Sequence, residues 1–95
     1  MEGMRLDRLA LPKVAMTLSP SQGDVVRLEE EESGTWFYCR IEEELPGGDL
    51  VCTVVDAQSW PSLAIGGILP GTTYVVARTN VLSVVAASGD FTRHA

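Results

Sequence analysis

Trp36 and Tyr38 stand two residues apart in the part of the chain with the clearest strand character. Alternate residues of a β-strand point to the same face, so the two rings are expected side by side. Large rigid rings provide contact area at a small entropic cost, and they are common at the centres of protein interfaces. The chemistry that this pair indicates is non-covalent recognition. The alternative is that the N-terminal segment or the loop of residues 58–71 covers both rings.

Acidic residues are concentrated on both sides of the aromatic pair. Residues 25–56 carry nine acids against Arg27 and Arg40, so this segment has a charge of −7, whereas the rest of the chain is +1. Seven of these acids form two runs, one before and one after the aromatic strand: Glu29, Glu30, Glu31, Glu32, and Glu42, Glu43, Glu44. A negative rim of this kind speeds association with a basic partner and repels polyanions. The alternative is a solvated surface that prevents edge-to-edge aggregation.

Residues for catalysis or metal binding are scarce. His94 is the only histidine and is followed by a single residue, which makes a Ser-His-Asp or Cys-His arrangement improbable. The chain has no phosphate-binding glycine loop, no dinucleotide-binding glycine motif and no zinc-protease motif. The glutamate runs are predicted to lie in exposed turns, where no burial would raise a carboxyl pKa for acid catalysis. We expect a protein that is not an enzyme and that uses no cofactor or metal.

The overall composition is that of one small globular domain. The 95 residues are 45% hydrophobic and 21% charged, and the formal net charge is −6. This charge opposes direct binding to nucleic acid or to anionic lipid. No apolar run approaches the roughly 20 residues that cross a bilayer, and the N-terminus lacks a signal-peptide pattern. The expected location is therefore the cytoplasm.

Hydrophobic alternation and turn residues predict an all-β fold. The predicted strands are residues 25–29, 36–43, 50–56, 72–79 and 81–87, with turn signals between them. Five short strands indicate a small barrel or a strongly bent antiparallel sheet over residues 23–87. Residues 1–22 are predicted to be a short N-terminal extension with a partial helical spacing or a short strand at 14–18. Residues 88–95 are predicted to be a mobile tail.

Alternation also assigns faces to the two strongest strands. The apolar members should point inward: Phe37, Cys39, Ile41, and Leu50, Cys52, Val54. The outward members of the first strand should be Trp36, Tyr38, Arg40 and Glu42. A tight turn at residues 47–48 would bring these apolar sets to the same side of the sheet, as one core requires.

The same turn decides how the two cysteines meet. A two-residue turn at 47–48 sets Cys39 opposite Asp56, which leaves the thiols offset. A four-residue loop at 44–47 would set Cys39 opposite Cys52, where a disulfide is geometrically possible. Since the chain lacks a secretion signal, buried free thiols are the prediction.

Three short segments resemble SH3-like small-barrel domains, both Tudor-type domains and bacterial SH3-like families of uncharacterised function. They are GDVVRL at 23–28, WFYCRI at 36–41 and GDLV at 48–51. The resemblance implies a five-stranded SH3-like barrel over residues 23–87. In Tudor-type domains, aromatics of these strands form a cage for methylated cations, which would carry over to Trp36 and Tyr38, with Tyr74 as a weaker candidate.

These observations predict a non-enzymatic protein-interaction module. Trp36 and Tyr38 would anchor a basic protein, with Arg40 and the two glutamate runs as the surrounding contact surface. A more specific version is an acidic inhibitor, such as an immunity or anti-defence protein, that imitates the charge of nucleic acid.

The alternative prediction is a structural or assembly subunit that forms homo-oligomers. It would associate through the apolar loop of residues 63–69 and an adjacent tryptophan. The residues concerned are Trp60, Leu63, Ile65, Ile68 and Leu69.

Overall fold

The computed structural model describes residues 4–6, 8–12, 20–32, 34–58 and 70–86. Six strands and one turn of 3-10 helix lie in these ranges: β1 (Met4–Arg5), β2 (Val25–Glu29), β3 (Trp36–Glu44), β4 (Asp49–Ala57), β5 (Thr73–Ala77), the 3-10 turn Arg78–Asn80, and β6 (Ser83–Ala86). Trp60, the apolar loop 63–69, the possible strand 14–18, His94 and the predicted tail 88–95 lie outside the described residues. In the part described, no helix is long and apolar enough to cross a membrane.

All six strands belong to one sheet in the order β1-β5-β4-β3-β2-β6. The five strands β2 to β6 pair antiparallel, and β1 adds a short parallel pair to β5. No hydrogen-bonded pair joins the outer strands β1 and β6 within the described ranges, so the sheet is not closed into a barrel. The predicted all-β class is therefore confirmed in its open, antiparallel form.

The predicted strands differ from the observed ones mainly at their ends. The prediction of residues 25–29 matches β2, β3 extends one residue beyond its predicted end, and β4 extends one residue beyond each predicted end. The predicted strand 72–79 ends earlier, at Ala77, because Arg78–Asn80 form the 3-10 turn. This turn redirects the chain into β6, which pairs with β2.

The inward faces of the strands build a single core. Phe37, Cys39 and Ile41 are buried as predicted, and so are Leu50, Cys52 and Val54. The cluster also includes Val26, Leu28, Tyr74, Val76 and Val81. Each strand from β2 to β5 contributes residues to this cluster.

The register between β3 and β4 differs from both predicted hairpins. Cys39 lies opposite Val54, and Ile41 lies opposite Cys52, so neither Asp56 nor Cys52 faces Cys39. The register shifts twice, between Tyr38 and Cys39 and between Ile41 and Glu43. Each shift inserts one extra residue into one strand, a β-bulge that uniform hairpin arithmetic does not anticipate. Both thiols are nevertheless free and buried, as predicted.

The described N-terminal residues are part of the sheet domain. Leu9 lies in the core with 6% of its surface exposed, and it bridges to Glu30. The Asn80 side-chain amide donates hydrogen bonds to the carbonyls of Leu9 (3.2 Å) and Ala10 (3.4 Å). The sequence predicted an extension here and gave no indication of this docking.

Candidate interaction site

The outer face of β2, β3 and β4 carries the residues that the sequence analysis singled out. Residues paired in register point to the same side of a sheet, so each pair brings two outer side chains together. Glu29 pairs with Trp36, and Arg27 pairs with Tyr38. On the other side of β3, Tyr38 pairs with Asp56. We call these five residues the aromatic face.

Trp36 and Tyr38 form a stacked pair on this face. Their ring centroids are 4.8 Å apart, and the ring planes are inclined by 28°. Both side chains are half-buried, so their outward orientation agrees with the prediction, and part of each ring remains accessible. Gln58 borders the pair, because its backbone N–H donates to the carbonyl of Trp36 and its side-chain oxygen accepts from the Trp36 N–H.

Arg27 contributes to the site in a way that the sequence analysis missed. Its guanidinium carbon lies 5.6 Å from the centroid of the Trp36 ring, within the range of a cation–π contact. Its Nε and one terminal nitrogen donate to the same Glu29 oxygen, at 3.2 and 2.9 Å. The outer face of β2 therefore places the Arg27 guanidinium against the Trp36 ring, and the Glu29 carboxylate balances its charge.

Arg40 and Glu42 repeat this ion pair farther along β3. Arg40 donates to Glu42 at 3.2 and 2.8 Å, and this hydrogen bonding holds the pKa of Glu42 below its usual value. A hydrogen bond from Thr53 lowers the pKa further, while partial burial opposes the shift. The Thr53 and Thr73 hydroxyls lie 3.2 Å apart and continue this polar row across β4 and β5. The predicted contact residue Arg40 is thus already engaged within the chain.

The two glutamate runs lie near opposite ends of β3, as predicted. Glu29 lies opposite Trp36, and Glu42 follows Trp36 by six residues, so the runs are about 20 Å apart at a rise of about 3.3 Å per residue. Glu31 and Glu32 are exposed in the turn that leads to Trp36. At the far end, Glu43 is exposed beyond the aromatic face.

Glu44 at the far end of β3 joins three segments of the chain. It accepts a hydrogen bond from the Gln22 backbone N–H at 3.2 Å and forms an ion pair with Arg78 at 2.9 Å. The bond from Gln22 is the larger cause, and the two together lower the pKa of Glu44. Arg78 also donates to the carbonyl of Pro20. Glu44 therefore helps to hold the fold together.

Asp56 joins the site because of the bulge in β4. Without a register shift, the alternation that buries Cys52 and Val54 would also direct Asp56 into the core. The bulge between Tyr38 and Cys39 instead exposes Asp56 and buries Ala57 opposite Phe37. A carboxylate buried without a partner is costly, so the irregular register removes that cost. Sequence alternation alone could not place this residue beside Tyr38.

Tyr74 does not belong to the aromatic face. It is 3% exposed and lies in the core cluster, and burial raises its pKa. The resemblance had suggested it as a further cage aromatic, and that suggestion is wrong because Tyr74 occupies the inner side of the sheet. Among the described residues, Trp36 and Tyr38 are thus the outer aromatics that the site can use.

Covalent or metal chemistry would require a reactive nucleophile or a set of metal ligands. Burial raises the pKa of Cys52 to about 12 and that of Cys39 further, so both remain protonated thiols at neutral pH. No group of three His, Cys, Asp or Glu side chains in the described ranges is arranged to hold a metal ion. The arrangement on the outer face is suited to non-covalent contact.

Comparison with protein-family models, curated proteins and solved structures gave no match for this chain.

Proposed function

We propose that this chain is a non-enzymatic interaction module that binds a basic protein through its aromatic face. The observation that carries the proposal is the half-buried Trp36–Tyr38 stack on the outer side of the sheet. The core cluster of the described residues lies on the inner side of the sheet, and these two rings are not part of it. An accessible pair of stacked aromatics offers a partner rigid apolar area at a low entropic cost.

The charges around this stack favour a basic partner. The described residues include ten acids and five arginines, and four of the arginines are paired with an acid of the same chain: Arg5 with Asp49, Arg27 with Glu29, Arg40 with Glu42, and Arg78 with Glu44. The cations are therefore largely neutralised, while exposed acids remain at the tryptophan end of β3 and at Asp56. A surface of this kind attracts positive partners and repels polyanions.

An inhibitor of the immunity or anti-defence type is a more specific form of the same proposal. The target would be a protein with a basic nucleic-acid site, which this acidic chain would occupy. The concentration of acids in residues 25–56 supports this form. The broader form, a non-enzymatic interaction module, is supported by the resemblance of three segments to SH3-like small barrels. This support is an analogy with other domains.

The proposal can be tested with a basic protein captured from an extract of the source cells and then purified. Its affinity for the wild type would be compared with that for Trp36→Ala and Tyr38→Leu, after circular dichroism has verified that both variants fold. Val85→Ala is the matched control, because Val85 is 47% exposed on β6, away from the aromatic face. We expect at least a tenfold loss for each aromatic variant and none for the control.

Two results would contradict the proposal. Unchanged affinity of both aromatic variants would remove the aromatic face as the binding surface. Alternatively, light scattering could show a wild-type oligomer that Ile65→Asp converts to a monomer, while no basic partner is found. That outcome would support the assembly-subunit alternative.

A further inference from the structure

The aromatic face contains the same register pairing twice, an acid opposite an aromatic ring. Glu29 of β2 lies opposite Trp36, and Asp56 of β4 lies opposite Tyr38. Since Trp36 and Tyr38 are alternate residues of β3, the two pairs are neighbours on one face of the sheet. Each pair places an acidic and an aromatic residue opposite each other on the outer face of the sheet.

In the first pair, the chain itself supplies a cation. The Arg27 guanidinium lies over the Trp36 ring at 5.6 Å and donates two hydrogen bonds to Glu29. The guanidinium thus contacts an aromatic ring and a carboxylate at the same time. This is the arrangement for which a planar, delocalised cation is better suited than an ammonium group.

In the second pair, Tyr38 and Asp56, no arginine or lysine of the described residues forms an ion pair with the acid. The Asp56 side chain is exposed, and the hydrogen bond that it makes is accepted from the backbone N–H of Ala57 at 2.9 Å. The two arginines nearest to Tyr38 by register are held elsewhere, Arg27 by Glu29 and Arg40 by Glu42. Asp56 therefore presents its charge outward next to Tyr38.

We propose that Tyr38 and Asp56 form the subsite that receives one arginine side chain of the basic partner. The guanidinium would lie against the accessible part of the Tyr38 ring and donate to the Asp56 carboxylate, as Arg27 does with Trp36 and Glu29. This inference rests on the proposed function and names the contact at its centre. The charge complementarity of Asp56 and the internal example provided by Arg27 support it.

A small probe tests the subsite without needing the partner. The ¹⁵N-labelled chain would be titrated with N-acetyl-arginine amide and followed by two-dimensional NMR. N-acetyl-citrulline amide is the matched probe, because it keeps the shape of arginine and lacks its charge. We expect the arginine probe to shift the amides of Tyr38, Asp56 and Ala57, and the citrulline probe to leave them in place.

Substitutions separate the subsite from general attraction to an acidic surface. Asp56→Asn retains an oxygen for the Ala57 N–H and removes the charge, so the arginine probe should bind about two- to fivefold more weakly, since an exposed ion pair contributes up to about 1 kcal/mol. Glu43→Gln removes the same charge at the far end of β3 and should change binding to the subsite much less. Tyr38→Leu keeps an apolar side chain and should also weaken binding, because the cation–π contact is lost.

Three results would overturn the subsite. They are equal effects of Asp56→Asn and Glu43→Gln, shifts spread evenly over all exposed acids, and a stronger response to N-acetyl-lysine amide than to the arginine probe. These results would leave the aromatic face available for a partner that makes other contacts. Conversely, the arginine probe could shift the amides of Tyr38 and Asp56 while the basic partner binds Trp36→Ala and Tyr38→Leu as tightly as the wild type. That outcome would support the subsite and contradict the proposed function.

Discussion

At the scale of single residues, two arginines and two glutamates determine the character of the outer face. Arg27 with Glu29 and Arg40 with Glu42 are pairs of alternate residues on the same side of one strand. Each pair is partly exposed, so its contribution to stability is at most about 1 kcal/mol. Their larger effect is to hold both arginines within the chain. The face thereby keeps exposed carboxylates for an incoming cation.

The Arg40–Glu42 pair predicts a measurable pKa change. Replacing Arg40 by Met, which has no donor, removes the hydrogen bonds that lower the pKa of Glu42, so this pKa should rise toward the ordinary value of 4.5. Because the folded-state pKa is the lower one, the pair stabilises the fold above pH 4.5, and this stabilisation is lost as the pH falls through the folded-state pKa. Carboxyl NMR titration of both proteins measures the shift, and an unchanged Glu42 pKa would contradict the ion pair.

The two buried cysteines predict slow thiol chemistry. Burial raises both pKa values, so few thiolates exist at pH 8, and the sheet also blocks access to the sulfur atoms. A thiol-reactive disulfide reagent should modify the native chain only at the rate of unfolding and should modify two thiols rapidly in denaturant. Rapid modification of either cysteine in the native state would show that the inner face of β3 and β4 is open.

At the scale of elements, β3 organises both the core and the site. It lies between β2 and β4, its inner residues are fully buried, and its outer residues carry the aromatic pair. The inner side chains of β3 therefore serve the core, whereas its outer side chains form the proposed contact surface. Changes on the two faces should therefore have separable consequences.

Phe37→Ala tests the inner face of β3. Phe37 is fully buried, and truncating such a ring costs about 3–5 kcal/mol of unfolding free energy through lost burial and a residual cavity. Val85→Ala on β6 should cost less than about 0.5 kcal/mol, as expected for an exposed site. Urea unfolding of the two variants measures both changes. If Phe37→Ala has no more effect than Val85→Ala, the assigned inner face is wrong.

Asn80→Ala tests how the N-terminal segment is held against the sheet. The change removes both side-chain hydrogen bonds to the Leu9 and Ala10 carbonyls and should cost about 1 kcal/mol locally. The Ala10 N–H, which donates to the Glu29 carbonyl, should then exchange with solvent several-fold faster. The Leu28 N–H within β2 serves as the internal control. Equal acceleration at both sites would indicate global rather than local destabilisation.

The sequence predicted the elements well and their register poorly, for a physical reason. Alternation assigned the inner residues of β3 correctly because one face must be dry and the other wet. It placed Cys39 opposite the wrong partners because each bulge shifts the pairing by one residue. The bulge in β4 also reverses the alternation beyond Val54, so that Asp56 is exposed and Ala57 is buried. The positions of Asp56 and Arg27 beside the aromatic rings depend on this register and on contacts between strands. The alternation of residues in the sequence contains neither.

β1 was missed for a different reason. A strand of two residues is too short to show alternation, and its pairing with β5 is parallel. Its position depends on contacts with residues remote in sequence, among them the hydrogen bond from the Leu6 N–H to the Val75 carbonyl and the Arg5–Asp49 ion pair. The leucine spacing near it offered only a partial helical pattern, which Leu11 breaks by being 66% exposed.

At the scale of the whole molecule, electrostatics should govern how quickly a partner arrives. The net charge is −6, and the acids are concentrated in the central strands and their turns. Screening shortens the reach of this field from about 10 Å at 0.1 M salt to about 3 Å at 1 M. The aromatic contacts are short-ranged and are much less sensitive to salt.

Salt should therefore change the association rate, and loss of an aromatic contact should change the dissociation rate. Raising the salt concentration from 0.05 to 0.5 M should slow association with the basic partner by about tenfold or more and change dissociation little. Tyr38→Leu should instead accelerate dissociation. Surface plasmon resonance measures both rates. If salt does not change the association rate, charge does not steer the partner to this surface. The hypothesis of an inhibitor that imitates nucleic acid would then also be wrong.

The most direct test of the central claim is an NMR map of the surface that the basic partner covers on the ¹⁵N-labelled chain. If the aromatic face is the binding surface, the largest amide changes will lie at residues 27–29, 36–38 and 56–58, while β1 and β6 are little affected. A map centred on β1, on β6 or on residues 59–69 would show that the partner binds elsewhere.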